Sequence, residues 1–583
     1  MLAKRHMSNT AMTDSTTTTA ATATYPVPLC PDDSTSFANT AAARTTHVHL
    51  DLTADFAAKL LQGSVTLTVD LAKGASQVIL DSSFLDIHSV FQVNDNQGAN
   101  ATPLAYTVKP RHDKFGAPIV IDLPTPALDE SSSVKIRVAY ATTNKCTAGQ
   151  WLTPSQTVGK VHPYFFTQCQ AIHARSLLPV QDTPSLKITY SATITVPEPL
   201  RALMSAHRKG DEPAAKPGFR SFHFDQPTSI PSYLIAIAIG NIDGIQVGPR
   251  TTVFSEPEVV KAAAEEFKDT EKIIQAGEEI VMKYEWGNYD LLVLPSSFPY
   301  GGMENPCLTY VTPTLLAGDK SLVDVIVHEF AHSYAGNLAT TKSWADFWLN
   351  EGWCVFLERK IIAALHGEPH RQFNARIGEK ALKESVNLFG HDNPYTCLCV
   401  KMHNVDPDDS FSSVPYEKGF AFLYHLEQLI GETTFAAFTK AYFKTFAGKS
   451  IDTNDFQTFL FQFLDHYFGP EKVDDLKKKA RELPADEVKK HFSEQDIQAF
   501  SALQKARPLP HSHLAHMDAV YHLTSARNCE IRFRWHLIAC VRTMRPFTRN
   551  MPAARDMAVE TFDKLKDGYH PICAMLVKKD LGV

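Results

Sequence analysis

The chain of 583 residues has no apolar run long enough to span a membrane. Its most hydrophobic stretch, Tyr233 to Ile242, is too short for that and reads as a buried strand. Nor does it have a Cys-x-x-Cys pair: among ten cysteines the nearest two are Cys397 and Cys399. That excludes a disulfide framework and a cysteine zinc site, and it suits a reducing compartment. Charge is not in excess either. A net charge of −7 gives no general attraction to nucleic acid or to anionic membranes. Residues 1–44 are rich in Thr, Ala and Ser without a compact apolar core, which excludes a secretory signal and reads as a disordered tail. Lys4 and Arg5 faintly resemble a mitochondrial transit segment, but arginine is sparse, and Asp14, Asp32 and Asp33 weigh against it. The expected location is the cytoplasm, with the nucleus or mitochondrion as lesser alternatives. There is no clear internal repeat. What remains, 44% hydrophobic and 21% charged residues, describes a soluble globular chain of several domains.

From about Thr45 the pattern alternates with period two. His47 to Leu52, Ser64 to Val69, Val134 to Val138, Leu186 to Tyr190 and Ala192 to Val196 read as half-buried strands. Residues 45–243 are therefore expected to form an all-β domain. From Pro257 onward the pattern turns helical: Val259 to Gly287 carries Ala, Glu and Lys with apolar residues at helical spacing. A strand from Asp290 to Leu294 interrupts it. Residues 244–486 read as an α-rich catalytic domain, and 487–583 as a helical domain with amphipathic segments at Asp496–Lys505 and His513–Ser525. The fold class is multidomain α+β.

The chemistry concentrates in His328-Glu329-Phe330-Ala331-His332, followed by Asn350-Glu351. On a helix, positions i and i+4 share a face, so His328 and His332 can offer two imidazoles to one ion. Glu329 points about 100° away, which suits a base rather than a ligand. Glu351 supplies a third ligand from a following helix. Three protein ligands leave a fourth position for water, the arrangement of a catalytic zinc site. Asp319 or Ser321 is expected to cap the first helix and Gly336 with Asn337 to end it. The second helix is expected over Asp346 to Leu365, with Asp346 as its N-cap.

Several motifs agree with this set: Gly301-Gly302-Met303-Glu304-Asn305, Trp348-Leu349-Asn350-Glu351-Gly352, Val414-Pro415-Tyr416-Glu417-Lys418-Gly419, Gln168-Cys169-Gln170-Ala171 and Gln181-Asp182-Thr183-Pro184. Together they resemble the M1 zinc aminopeptidases, and within that family the leukotriene A4 hydrolase branch, from about residue 45 to the C-terminus. The resemblance implies an N-terminal β domain, a thermolysin-like catalytic domain and a C-terminal helical domain of armadillo/HEAT type. It implies one zinc ion per chain, held by His328, His332 and Glu351. The implied chemistry is removal of the N-terminal residue from short peptides, tripeptides foremost, by a monomer. Opening of a lipid epoxide is a second implied activity. A dedicated epoxide hydrolase and a catalytically silent peptide-binding scaffold are the alternatives.

By the same resemblance Glu329 is the general base and Tyr416 the oxyanion donor. Glu304 pairs with the substrate ammonium and Gln170 makes a polar contact beside it. Gly301 and Gly302, with Met303, let the backbone approach the substrate. Glu358 either orients a zinc histidine or forms a surface ion pair with Arg359 or Lys360. Asp408 falls where the family directs water to an epoxide carbon, or else caps a turn. The family's tyrosine five residues before the catalytic one is Phe411 here, which removes one signature of the specialised epoxide hydrolase. The C-terminal domain is short for the family, with segments missing around residues 470–490 and between Trp535 and Phe547. Arg545 is the first candidate to bind a substrate carboxylate and Arg542 the second.

Overall fold

A computed structural model describes residues 27–93, 101–124 and 132–469, together with Glu560 and Asp563. The expected C-terminal helical domain, its shortening, Arg542 and Arg545 lie outside the described residues.

The alternating segments form one large sheet. In spatial order its main strands are His207–Pro213, Phe219–Pro231, Lys187–Pro197, Ala43–Asp55, Leu60–Leu71, Ser132–Thr142 and Leu85–Val93. Val48, Leu50 and Leu52 alternate with more exposed residues and are fully buried, as period two requires. The two strands expected at Leu186–Tyr190 and Ala192–Val196 are one strand, Lys187–Pro197, paired in parallel with Ala43–Asp55. Ser191 lies between them and is not a breaker; it faces His47 and His49.

The stretch expected as a disordered tail is packed in part of what is described. Within the described residues Phe37 and Ala38 are buried, and Asp81 binds the segment by accepting from the Ser36 hydroxyl and the Phe37 amide. Polar composition hid this, because the anchoring carboxylate is distant in sequence. Gln181 of the matched Gln-Asp-Thr-Pro motif likewise fastens the first strand, accepting from Thr45 N and donating to Ala43 O.

A five-stranded sheet follows, in the order Asp243–Gln246, Thr252–Ser255, Asp290–Val293, Leu308–Val311, Gly302–Met303. The helical stretch expected from Val259 divides into Val260–Glu266 and Thr270–Ile280. The run Tyr233 to Ile242 is buried except at Asn241, but only Ile237–Gly240 is strand, after a 3-10 turn at Ser232–Leu234. Beyond the sheet come the helices Asp324–Ala331, Trp348–His366, Glu368–Phe389, Gly419–Ile430, Glu432–Phe446 and Thr453–Phe468. Trp348–His366 is apolar on nearly every side, so it must be enclosed. Trp353 meets Phe356, Phe435, Phe438, Tyr442, Phe443 and Phe456 in one aromatic cluster. That cluster holds the helix carrying Glu351 from behind. Among the described residues no helix is long and apolar enough to cross a membrane.

Candidate active site

The His-Glu-x-x-His helix runs Asp324–Ala331, with His332 closing its last turn. It begins later than expected. Asp319 accepts from Ser321 N and closes a separate turn upstream, while Val323 occupies the cap with no side-chain bond. It also ends before Gly336, because Ser333 N and Tyr334 N bond three residues back to Phe330 O and Ala331 O. The second helix starts at Trp348 with Phe347 as its cap; Asp346 instead accepts from the Thr453 hydroxyl.

Each imidazole has one nitrogen engaged. His328 Nδ1 lies 2.8 Å from Glu358 Oε2, and His332 Nδ1 lies 2.8 Å from the Ala335 carbonyl. Both acceptors fix the proton on Nδ1 and leave a lone pair on Nε2. The two Nε2 atoms face one oxygen, Glu351 Oε2, at 3.7 Å from His328 and 3.3 Å from His332. That oxygen is buried and has no hydrogen-bond partner. Ligands about 2.1 Å from a tetrahedral zinc are separated by roughly 3.4 Å. Three donors that converge at such distances without bonding one another fit a shared ion. Two overlapping donor groups have ligand atoms within 4.8 Å: Glu304, His332 and Glu351, and His328, His332 and Cys354.

Around this point stand residues from separate segments. Gly302 and Met303 form a short strand against Tyr310 and Val311. A Cβ on Gly302 would overlap the Glu329 side chain, so glycine there leaves the space that Glu329 occupies. Gly301 has room for a Cβ, whose nearest neighbour would be Val325 at 3.7 Å. Met303 is buried and its sulfur accepts from Gln168 Nε2 at 2.9 Å. Glu304 is buried, with Oε1 unpaired and 4.0 Å from His332 Nδ1. Its backbone carbonyl accepts from Asn337 Nδ2 at 2.7 Å. The Gln170 amide nitrogen is buried without a partner. Tyr416 lies in a π-helical turn, Val414–Lys418, and its ring stacks on His328 with centroids 6.0 Å apart. Phe411 is exposed and edges against Tyr416 and Tyr300. Asp408 does not cap its turn. Asp406 does that by accepting from Asp408 N, and Asp408 Oδ2 instead meets His173 Nε2 at 2.9 Å.

Crowding of carboxylates in a dry site governs their protonation. Burial pushes Glu329 up to about 8, against the pull of His328 and His332. Burial also raises Glu304, which lies close to the Glu351 charge. Burial works against ionised Glu351 too, yet His332 and His328, when protonated, hold it down to about 2. The Tyr416 phenol is raised by burial and by Glu351, so it stays a proton donor.

Residues outside the expected set hold Tyr416 in place. Arg359 is buried rather than a surface partner of Glu358. It makes a paired contact with Glu417, 2.9 Å on each oxygen, and bonds Asn374. Gly352 and Gly419 bring two backbones together: a Cβ on either would sit 2.7 Å from the other's Cα. The residue after Glu351 thus touches the segment of Tyr416. The signal was present in Glu417-Lys418-Gly419 and Glu351-Gly352, but only the fold shows that they meet.

Three family models match. The Peptidase M1 N-terminal domain covers residues 44–234 and the Peptidase family M1 domain covers 265–479. The leukotriene A4 hydrolase C-terminal model covers 492–551. The leukotriene A-4 hydrolase of Xenopus laevis is 41% identical, with 94% of this chain and 99% of that protein aligned. The chain belongs to peptidase family M1. Leucine aminopeptidase 2 of Yarrowia lipolytica is 40% identical over 94% of this M1 chain and 93% of its own length. Yeast LTA4 hydrolase, solved in complex with bestatin, superposes with a TM-score of 0.79 at 34% identity, covering 94% of this chain and 97% of that one. An M1 zinc metallopeptidase from Deinococcus radiodurans shares the fold at 21% identity and a TM-score of 0.59, covering 76% of this chain and 95% of its own. This M1 protein is accordingly a hydrolase with a three-domain plan of β, catalytic and helical parts.

Proposed function

We propose that this M1 protein is a zinc aminopeptidase acting on short peptides, tripeptides foremost. The observation that carries the reading is the unpaired, buried Glu351 oxygen facing two Nε2 atoms whose partner nitrogens are already engaged. His328, His332 and Glu351 would hold the zinc, which when bound activates water and polarises the scissile carbonyl.

The protein's own groups supply the rest. Glu304 is a buried carboxylate with an unpaired oxygen, and a free substrate ammonium would satisfy it. The Gln170 amide nitrogen is buried without a partner, and Gln170 is proposed to make a polar contact with the substrate. Glu329, seated against Gly302, takes a proton from the attacking water and later returns it to the leaving amine. Tyr416 donates to the developing oxyanion, and the Arg359–Glu417 pair restrains the turn that presents it. Arg545 is proposed to anchor the substrate carboxylate.

Epoxide opening remains the second reading, favoured by one observation: Asp408 is half-exposed and held by His173 rather than consumed by its turn. The described cysteines are all free thiols, which supports a cytoplasmic setting.

The test is release of the N-terminal residue from tripeptides and their N-acetylated counterparts, with and without a chelator. Chelator-sensitive cleavage of free-amine peptides alone is expected. Glu304→Gln should lower kcat/KM about 10- to 100-fold and blunt that selectivity. Equal cleavage of acetylated peptides by the wild type would reject the aminopeptidase reading.

A further inference from the structure

Cys354 has no role in the chemistry above, yet it lies one turn beyond Glu351 and one turn before Glu358 on the same helix. It is fully buried, and its thiol donates to the His328 carbonyl at 3.0 Å, so it points at the His-Glu-x-x-His helix. Its Sγ and one ring nitrogen from each of His328 and His332 lie within 4.8 Å of one another. A buried cysteine ordinarily acts as a small hydrophobe; two facing imidazoles change what this one can do.

We propose that the two histidines serve a second, softer donor set that ends on Cys354 instead of Glu351, and that this set takes thiophilic divalent ions of the cadmium type. The inference rests on the reading of His328 and His332 as metal ligands. Carboxylate oxygen favours harder ions and thiolate sulfur softer ones, so one histidine pair flanked by both can sort ions by softness. Binding forms a metal–sulfur bond as the thiol loses its proton to solvent, and no atom is oxidised or reduced.

The experiment is a Cd2+ titration of metal-free protein. Cys397 and Cys399 are exposed among the described thiols, and Cys529, Cys540 and Cys573 lie outside the described residues, so it is run with all five replaced by Ser. An ultraviolet sulfur-to-metal charge-transfer band should grow and be abolished by excess Zn2+, since both ions share the histidines. Cys354→Thr should lack the band. Its preference for Cd2+ over Zn2+, measured by competition dialysis, should fall by roughly tenfold or more. Retention of one zinc per chain by Cys354→Thr shows that its site survived the substitution. Should that variant not fold, the zinc-reversible band of the Cys354-containing protein still decides. Cadmium bound without a sulfur band, at an unchanged Cd2+/Zn2+ preference, overturns the proposal and leaves the zinc reading standing. Failure to bind either ion overturns both.

Discussion

The inner and outer halves of the site are built on opposite plans. The inner half, His328, His332 and Glu351, stands on two buried helices, and each histidine has its second nitrogen fixed by Glu358 or by the Ala335 carbonyl. The outer half, Gln170, Glu304, Asp408 and Tyr416, comes from a β-domain loop, a strand end, a 3-10 turn and a π-helical turn. It also keeps unpaired buried atoms on Gln170 and Glu304. On the proposed reading an ion alone would satisfy the inner half, whereas substrate would complete the outer half. Rigid support suits coordination, and unsatisfied polar groups suit recognition, because their pairing energy is realised only on binding.

That contrast can be broken from either side. Of the changes within the two halves, the largest effect is expected in the outer one: Tyr416→Phe should lower kcat by about 10²–10³ while leaving metal content and KM nearly unchanged. Steady-state kinetics with metal analysis checks this, and loss of metal in that variant would erase the distinction. A smaller effect is expected in the inner half. Glu358→Gln should weaken zinc affinity by roughly 10- to 100-fold, with kcat near normal at saturating zinc. A kcat deficit that zinc cannot restore would make Glu358 part of the chemistry instead.

The smallest effect concerns the support behind Glu304. Lys187, from the β domain, is buried and donates to the Asn337 and Leu338 carbonyls, and Asn337 in turn holds the Glu304 backbone. Burial lowers the Lys187 ammonium from its ordinary 10.5 to about 7. Its folded-state value lies below the unfolded one, so the unfolded chain binds more protons between those limits. Stability from this residue is therefore full above about 10.5 and is lost as pH falls toward 7. The melting temperature of the wild type should rise relative to Lys187→Met between pH 7 and 10. A pH-independent difference would contradict a buried neutral amine.

The same division separates what could be read in the sequence from what could not. The spacing of His328, His332 and Glu351 already specified one face of one helix and a ligand from the next, because i and i+4 geometry is local. Alternation in Ala43–Asp55 and Leu60–Leu71 likewise exposed the β domain. Contacts between distant segments were illegible. Arg359 read as a surface charge because Glu417, its partner, lies far along the chain. Residues 27–42 read as tail because Asp81, which binds them, is a single polar residue among many. Helix starts were misplaced for a related reason: Asp319 and Asp346 are good caps by type, but each found another partner.

The most direct test of the central claim is Glu329→Gln, assayed for zinc content and for tripeptide turnover. The variant should keep one zinc per chain, because Glu329 is not a ligand, and lose kcat by about 10²–10⁴. Zinc-loaded Glu329→Gln that cleaves free-amine tripeptides at the wild-type rate would contradict the account.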